Sequence, residues 1–78
     1  MSPEELDIAA VWEPDANESR IVQIYNRMDQ FPDDLKRELA EALKAYWIMH
    51  GKWDKKKNTF KQKQKVAKVK AMLNENHT

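Results

Sequence analysis

The chain has 78 residues, a length that fits one small domain whose core supplies about 3–5 kcal/mol of net stability. It has no cysteine and two histidines, which excludes disulfides and thiolate metal sites and argues against a structural zinc. No apolar run approaches the roughly 20 residues of a membrane span, and the acidic start MSPEELDIAA is the reverse of a signal peptide. We therefore expect a soluble, cytoplasmic chain.

The formal net charge is only +1, but the charges are divided along the chain. Residues 1–43 contain eleven acidic and four basic residues, whereas residues 44–78 contain ten lysines and two acidic residues. This asymmetry indicates either that the two halves pack against each other or that the basic half meets a polyanion.

Composition favours an all-α fold. There is one glycine and there are three prolines, while Lys, Glu, Ala, Leu, Gln and Met, which lose little rotamer freedom in a helix, dominate. Alternating strand patterns are missing. We predict a single domain over 1–78: a bundle of three main helices with a short N-terminal helical arm and a lysine-rich C-terminal helix. Its parts are an arm at 1–14, a helical hairpin at 15–51, and a basic connector and C-terminal helix at 52–78.

The first predicted helix runs from about Pro3 to Val11. Ser2 is a good N-cap, proline occupies the first helical position, and Glu5 stands where a capping box requires it. Pro14 disfavours helix at the residue before it and so ends the arm.

A second helix is predicted over about residues 16–29, capped by Asp15 or Asn17. Its apolar residues recur at the spacing i, i+3, i+4, i+7 of one helical face. They are Ile21, Ile24, Tyr25 and Met28.

The third helix has the strongest signals. It begins near Pro32, has acidic residues in its first turn, and ends at Gly51, a natural C′ residue. Its apolar stripe comprises Leu35, Leu39, Ala42, Leu43 and Tyr46. Ile48 falls on the polar side, which predicts that it is covered by another helix or left for a partner.

The last helix is predicted to begin near Asn58 or Thr59, both good caps, and to run to about Leu73. We expect the charged segment between Gly51 and this helix to form a connector, and residues 74–78 to fray.

On a helical wheel, Val66, Val69 and Leu73 form a narrow apolar seam in the last helix. Lysines flank this seam, with Lys61, Lys65 and Lys68 on one side and Lys63 and Lys70 on the other. Their methylene stems can lie along apolar surface while the ammonium groups reach water.

Three interpretations of this pattern stay open. In the first, the helix docks its seam on the domain, and water and the acidic half satisfy its lysines. In the second, the clustered lysines bind nucleic-acid phosphates, with aromatic side chains that stack on bases. In the third, the seam binds a partner helix or a second copy of the chain.

We adopt nucleic-acid binding as the leading hypothesis. All three arginines lie in the acidic half, and lysine acts toward phosphate as a point charge, so little sequence choice is expected. The candidate contact residues are Lys52, Trp53, Lys55, Lys56, Lys57, Phe60, Lys61, Lys63, Lys65, Lys68 and Lys70.

The alternative is a protein-interaction module, an inhibitor or adaptor of a larger complex. It would use the C-terminal helix or a surface that includes the acidic N-terminal half. Its candidate contact residues are Ile48, Val66, Val69 and Leu73.

The three tryptophans receive separate predictions. Trp47 borders the apolar stripe of the third helix and is expected in the core, and Trp12 is expected to fasten the arm to the body. Charged residues flank Trp53 in the sequence and disfavour a buried position, which makes Trp53 a candidate stacking group.

No catalytic constellation is present in the sequence. Adjacent acidic pairs are explained by helix N-termini, and no nucleophile–base pair, Gly-rich phosphate loop or metal motif occurs. We therefore expect neither enzymatic activity nor a cofactor nor a bound metal. In its general make-up the chain is similar to small phage or plasmid regulators, a likeness that rests on no motif and transfers no residue role.

Overall fold

The computed structural model describes residues 1–74, and these residues form an all-α fold with no strand. The helices are α1 (Pro3–Trp12), α2 (Glu18–Arg27), α3 (Asp33–Met49) and α4 (Phe60–Met72). Short 3₁₀ turns at Met28–Gln30 and Lys55–Lys57 precede α3 and α4. The predicted fold class is thus confirmed. Of residues 74–78, for which fraying is predicted, only Asn74 is described: it forms a turn after α4, with its N–H donating to the Ala71 carbonyl at 3.1 Å, and residues 75–78 lie outside the described residues.

Side-chain caps fix the starts of three helices at the predicted places. At α1, Ser2 Oγ accepts from the Glu5 N–H at 3.2 Å and the Glu5 carboxylate accepts from the Ser2 N–H at 3.1 Å, a complete capping box. Asn17 caps α2 by accepting from the Arg20 N–H at 2.9 Å. Thr59 caps α4 by accepting from the Gln62 N–H at 3.2 Å.

The second helix is shorter than predicted, because its last turn tightens into the 3₁₀ turn Met28–Gln30. Met28 remains fully buried in this turn, and the Phe31 N–H donates to its carbonyl at 3.1 Å. The tighter turn brings the chain round to Pro32, where α3 begins without a side-chain cap.

The C-terminus of α3 forms a Schellman motif centred on Gly51. The Lys52 N–H donates to the Trp47 carbonyl at 2.7 Å, and the Gly51 N–H donates to the Ile48 carbonyl at 3.1 Å. Gly51 has φ +69°, the left-handed conformation that glycine adopts without a Cβ penalty. This motif confirms the predicted role of Gly51 and directs the chain from α3 into the basic connector.

Helix α3 is the central element, and it contacts both α1 and α4. Trp47 is buried at 2 % exposure, as predicted, and the apolar residues of all four helices share one core. The buried core residues are Ile8, Val11, Ile21, Ile24, Met28, Phe31, Leu39, Ala40, Ala42, Leu43, Tyr46, Trp47, Val66, Val69 and Leu73.

The apolar seam of α4 belongs to this core. Val66 and Val69 are completely buried and Leu73 is 9 % exposed, so none of the three offers a surface to a partner in this fold. The prediction of a partner interface at these residues is therefore corrected, because α4 uses the seam to cover α3. Burying each of these side chains is worth about 1.5–3 kcal/mol, a large contribution for a small domain.

The contribution of Trp12 to holding the arm is smaller than predicted. Its side chain is 59 % exposed and meets the last turns of α3 only along a shallow groove. Helix α1 is held by the apolar contacts of Ile8 and Val11 and by an ion pair between Asp7 and Arg27 of α2.

Ile48 remains 53 % exposed, so no other helix covers it. Of the two predicted alternatives, cover by another helix is therefore excluded, and binding of a partner at Ile48 stays a prediction. None of the helices in residues 1–74 combines the length and the apolar composition that a membrane span requires.

Candidate nucleic-acid interface

The basic connector has a defined backbone. Asp54 Oδ1 accepts from the Lys56 N–H at 3.2 Å and starts the 3₁₀ turn Lys55–Lys57. The Asn58 side-chain amide donates to the carbonyls of Lys52 and Asp54 and closes the loop from the other end. These local bonds hold three consecutive lysines on a tight turn, where their side chains are exposed to solvent.

Five lysines of the candidate set form no ion pair with a carboxylate of residues 1–74. They extend from the connector onto the first turn of α4, and their side chains are exposed. They are Lys55, Lys56, Lys57, Lys61 and Lys63. We call them the open lysines. Their charge is therefore available to an external anion.

Two other lysines pair with the acidic half. Lys52 Nζ contacts Glu18 Oε1, and Lys68 Nζ contacts Asp29 Oδ2 at 2.9 Å. The hydrogen bond and charge of each ammonium lower the pKa of its carboxyl partner below the ordinary values of 4.5 for Glu18 and 3.8 for Asp29. Internal neutralisation, the first interpretation of the lysine pattern, thus applies to part of the set.

Tyr25 receives two further lysine contacts. Lys65 Nζ lies 5.9 Å and Lys68 Nζ 5.2 Å from the centroid of its ring, distances at which cations are attracted to the ring face. Burial raises the pKa of the Tyr25 hydroxyl, which stays neutral at physiological pH. These contacts anchor the middle of α4 against α2.

The two candidate stacking groups have different surroundings. Trp53 is half-buried against the core, with the ammonium groups of Lys44 and Lys70 at 5.5 Å and 5.3 Å from its ring centroid. Its ring is thus already engaged by cations. Phe60, the first residue of α4, is 74 % exposed and offers an open ring face beside the open lysines.

A cleft separates α2 from the start of α4, and the sequence did not indicate it. We call it the lysine cleft, and its volume of about 340 Å³ lies within the range of small ligand sites. Its walls carry one carboxylate and four ammonium groups, from Glu18, Lys52, Lys57, Lys61 and Lys65. Positive charge therefore dominates this cleft.

Gln62 also lines the lysine cleft. The residue is only 8 % exposed, and its Nε2 finds no hydrogen-bond acceptor in residues 1–74. An unpaired buried amide costs about 1–3 kcal/mol. The spacing Thr59-x-x-Gln62 is that of a capping box and could have drawn attention to this residue, but only the threonine half of the box forms.

A second surface is apolar. Trp12 and Met49, which are 59 % and 82 % exposed, line a groove between the end of α1 and the last turns of α3. Its volume of about 80 Å³ suits a single side chain rather than a small-molecule ligand, since such ligands occupy roughly 300–1,000 Å³.

No group of His, Asp and Glu side chains within the described residues 1–74 is arranged to hold a metal ion. No known protein family, curated protein or solved structure matches this chain. Its function is therefore argued from the surfaces described above.

Proposed function

We propose that this chain is a non-enzymatic regulatory or architectural module that contacts nucleic-acid phosphates through its lysine-rich segment, residues 52–70. The single observation that carries the proposal is the set of open lysines. Clustered ammonium groups without carboxylate partners gain free energy by displacing the counterions condensed on a polynucleotide. Phe60 adds an exposed ring at the edge of this set, where a base of a single strand can stack.

The distribution of arginine supports contact without sequence choice. Arg20 and Arg27 direct their guanidinium groups at Asp7, at 3.9 Å and 2.9 Å, on the opposite half of the sequence from the open lysines. The basic segment therefore lacks the side chain that reads guanine edges with two hydrogen bonds. The affinity of the chain should therefore vary little between nucleic acids of equal length and different sequence.

A salt titration tests this proposal. Binding of the full chain to a fluorescently labelled duplex of random sequence is measured between low and moderate salt, and the logarithm of the affinity is plotted against that of the salt concentration. Engagement of all five open lysines gives a slope of about −4 to −5, since each phosphate contact contributes about −0.9. An affinity that stays flat over this range contradicts the proposal.

A protein partner is the second candidate, favoured by the exposed apolar side chains at the end of α3. Ile48 and Met49 are both exposed, and Met49 shares its groove with Trp12. A partner bound here should survive nuclease treatment and be lost in the double variant Trp12→Ser, Met49→Ser. Loss of all bound material upon nuclease digestion favours nucleic acid instead.

A further inference from the structure

We infer that the chain binds a second copy of itself, with Phe60 of one copy inserted between Trp12 and Met49 of the other. We call the groove that Trp12 and Met49 line the apolar groove. This inference rests on the protein-partner candidate described above and gives its groove a defined occupant. Nucleic-acid binding is not required for it. The size of the groove, the exposed face of α4 and the distribution of unpaired charge support this contact.

The apolar groove lies between the end of α1 and the last turns of α3. Trp12 and Met49 line it and are 59 % and 82 % exposed, beside the buried Val11 and Tyr46. Covering such exposed apolar side chains with an apolar partner is favourable. Because the volume of about 80 Å³ admits one side chain, the occupant is a side chain that projects from the surface of a protein.

Phe60 is such a side chain, because it is 74 % exposed at the start of α4. Ala67 and Ala71 follow it at i+7 and i+11 on the same face of the helix, and both are exposed. These small side chains let this face lie close to another helix while the ring of Phe60 enters the groove. All residues that line the groove belong to α1, to α3 or to positions directly after them, so Phe60 of the same molecule does not fill it.

Acidic side chains flank the apolar groove. Glu13 lines the groove, and Asp15 follows it in the loop after α1. On α3, Glu38 and Glu41 lie seven and four positions before the groove residue Ala45, on the same helical face. All four acidic side chains are exposed, and none of them forms an ion pair within residues 1–74. The surroundings of the groove therefore favour a positively charged partner.

The exposed face of α4 has the opposite charge. Lys61 and Lys63 follow Phe60 in the first turn of α4, the other open lysines precede it, and none of them pairs with a carboxylate of residues 1–74. With α4 of one copy antiparallel to α3 of the other, Lys63 approaches Glu41 and the connector lysines approach Glu13. Contact between the α4 face and the groove thus joins opposite charges, whereas contact between two α4 faces or two grooves joins like charges and is disfavoured.

Two serine variants interrupt the contact from opposite sides. Phe60→Ser removes the inserted ring and Trp12→Ser removes part of the groove, and both positions are exposed, so the fold is retained. Leu6→Ser is the matched control, because Leu6 is 53 % exposed on α1 and does not line the groove. Sedimentation equilibrium of the full chain from micromolar to millimolar concentration measures association. We expect wild type and Leu6→Ser to associate equally, and the other two variants to associate about tenfold more weakly, since loss of an aromatic side chain at the centre of an interface costs at least this much.

An equimolar mixture of Phe60→Ser and Trp12→Ser gives the decisive measurement. The first variant keeps an intact groove and the second keeps an intact ring, so the mixture should associate more strongly than either variant alone. A wild type that stays monomeric over this concentration range, or a mixture that associates no more strongly than its components, overturns the inference.

A charge exchange keeps the test decisive if a serine variant does not fold. Glu41→Lys and Lys63→Glu each bring like charges together and should weaken association several-fold, whereas their equimolar mixture restores opposite charges across one contact and should associate more strongly. Asp33→Lys is the control for Glu41→Lys, because it changes the net charge equally at the far end of α3 from the groove. Its mixture with Lys63→Glu should stay weak. Equal association of the two mixtures shows general charge attraction and overturns the inference.

Separate outcomes distinguish this inference from the proposed function. If wild type stays monomeric but retains a nuclease-resistant protein that the double variant Trp12→Ser, Met49→Ser loses, the inference is wrong and the protein-partner candidate stands. If wild type stays monomeric and binds the labelled duplex with the expected salt slope, the inference is wrong and nucleic-acid binding stands. If wild type associates and the variant mixtures restore the contact, the inference is correct whether or not the duplex binds.

Discussion

Arg27 holds the carboxylate of Asp7 with two hydrogen bonds, from Nε to Oδ2 at 3.1 Å and from Nη2 to Oδ1 at 2.9 Å. The carboxylate is largely buried, and Arg20 Nη2 lies 3.9 Å from the same Oδ1. Paired bonds of this kind fix direction as well as distance. They therefore set the orientation of α1 relative to α2.

Asp7→Asn should lower the free energy of unfolding by about 1–3 kcal/mol, because hydrogen bonds to charged groups contribute in this range and the arginine loses its counterion. Asp15→Asn is the matched control at an exposed position that forms no ion pair within residues 1–74, and it should change little. Urea unfolding followed by circular dichroism measures both. Equal stability of the two variants would show that the ion pair does not hold α1.

Gly51→Ala should destabilise the protein by about 1–2 kcal/mol, since an alanine at φ +69° brings its Cβ close to the following carbonyl oxygen. Open space surrounds the position, so the cost arises from the backbone alone. Gly51→Asn provides the control, because asparagine tolerates this conformation better and should cost less. Thermal unfolding of the three proteins checks the order. A Gly51→Ala protein as stable as wild type would contradict the Schellman geometry.

The burial of the α4 seam gives a prediction that separates folding from partner binding. Val69→Ser should cost about 2–4 kcal/mol, since it leaves a cavity and buries a hydroxyl without a partner. Ile48→Ser, at an exposed position, should stay within about 0.5 kcal/mol of wild type. Denaturant titration of both variants is the measurement. A stable, folded Val69→Ser protein would place the seam outside the core.

Replacing Lys55, Lys56 and Lys57 together by glutamine should reduce the salt dependence of nucleic-acid binding. Each phosphate that the variant no longer neutralises makes the slope less steep by about 0.9, so a change of up to about 2.7 is expected. The triple arginine variant keeps the charge and should retain the slope. The experiment is the same labelled-duplex titration. An unchanged slope in the glutamine variant would show that the 3₁₀ turn does not contact the nucleic acid.

The lowered pKa of Glu18 predicts how its pairing with Lys52 responds to acid. A carboxyl whose pKa is lower in the folded state contributes stability that is full above its unfolded value, near 4.5, and is lost as the pH falls through the folded value. Glu18→Gln should therefore be slightly less stable than wild type at pH 7, and the difference should shrink as the pH falls below that unfolded value. Urea midpoints at neutral and acid pH test this, and because the pair is exposed the effect is small. A stability difference between wild type and Glu18→Gln that grows toward low pH would contradict this pairing.

Local signals in the sequence were sufficient for the starts of α1, α2 and α4 and for the end of α3. Ser2, Asn17 and Thr59 cap through bonds to amides three residues away, and Gly51 ends α3 through its own backbone conformation. Such interactions depend only on neighbours in the chain, so a sequence pattern is enough to predict them.

The long-range relationships were not predictable in the same way. Lys68 meets Asp29 across 39 positions, and the exposure of Trp12 depends on where α1 crosses α3. The helical wheel identified the apolar seam of α4 but did not show whether the chain's own core or a partner covers it. The answer depends on how the other helices pack, and a single sequence does not show that packing.

In the candidate site, too, the local features were predictable from the sequence and the long-range contacts were not. The excess of lysine was visible at once, but whether each ammonium group faces solvent, a carboxylate or an aromatic ring depends on the packing of α4 against α2. The lysine cleft arises from residues of two helices and the connector, and only Gln62 carried a local signal, the incomplete capping box with Thr59.

Among residues 1–74, the last side chains of the core are Val66 and Val69 of α4 and Leu73 directly after it, and they close over α3. During synthesis, the apolar face of α3 therefore stays uncovered until the segment through Leu73 has left the ribosome. The open lysines emerge before most of that segment, at the time when the nascent chain is still unfolded. Truncation before Val66 should therefore leave the apolar face of α3 exposed and the protein prone to aggregation.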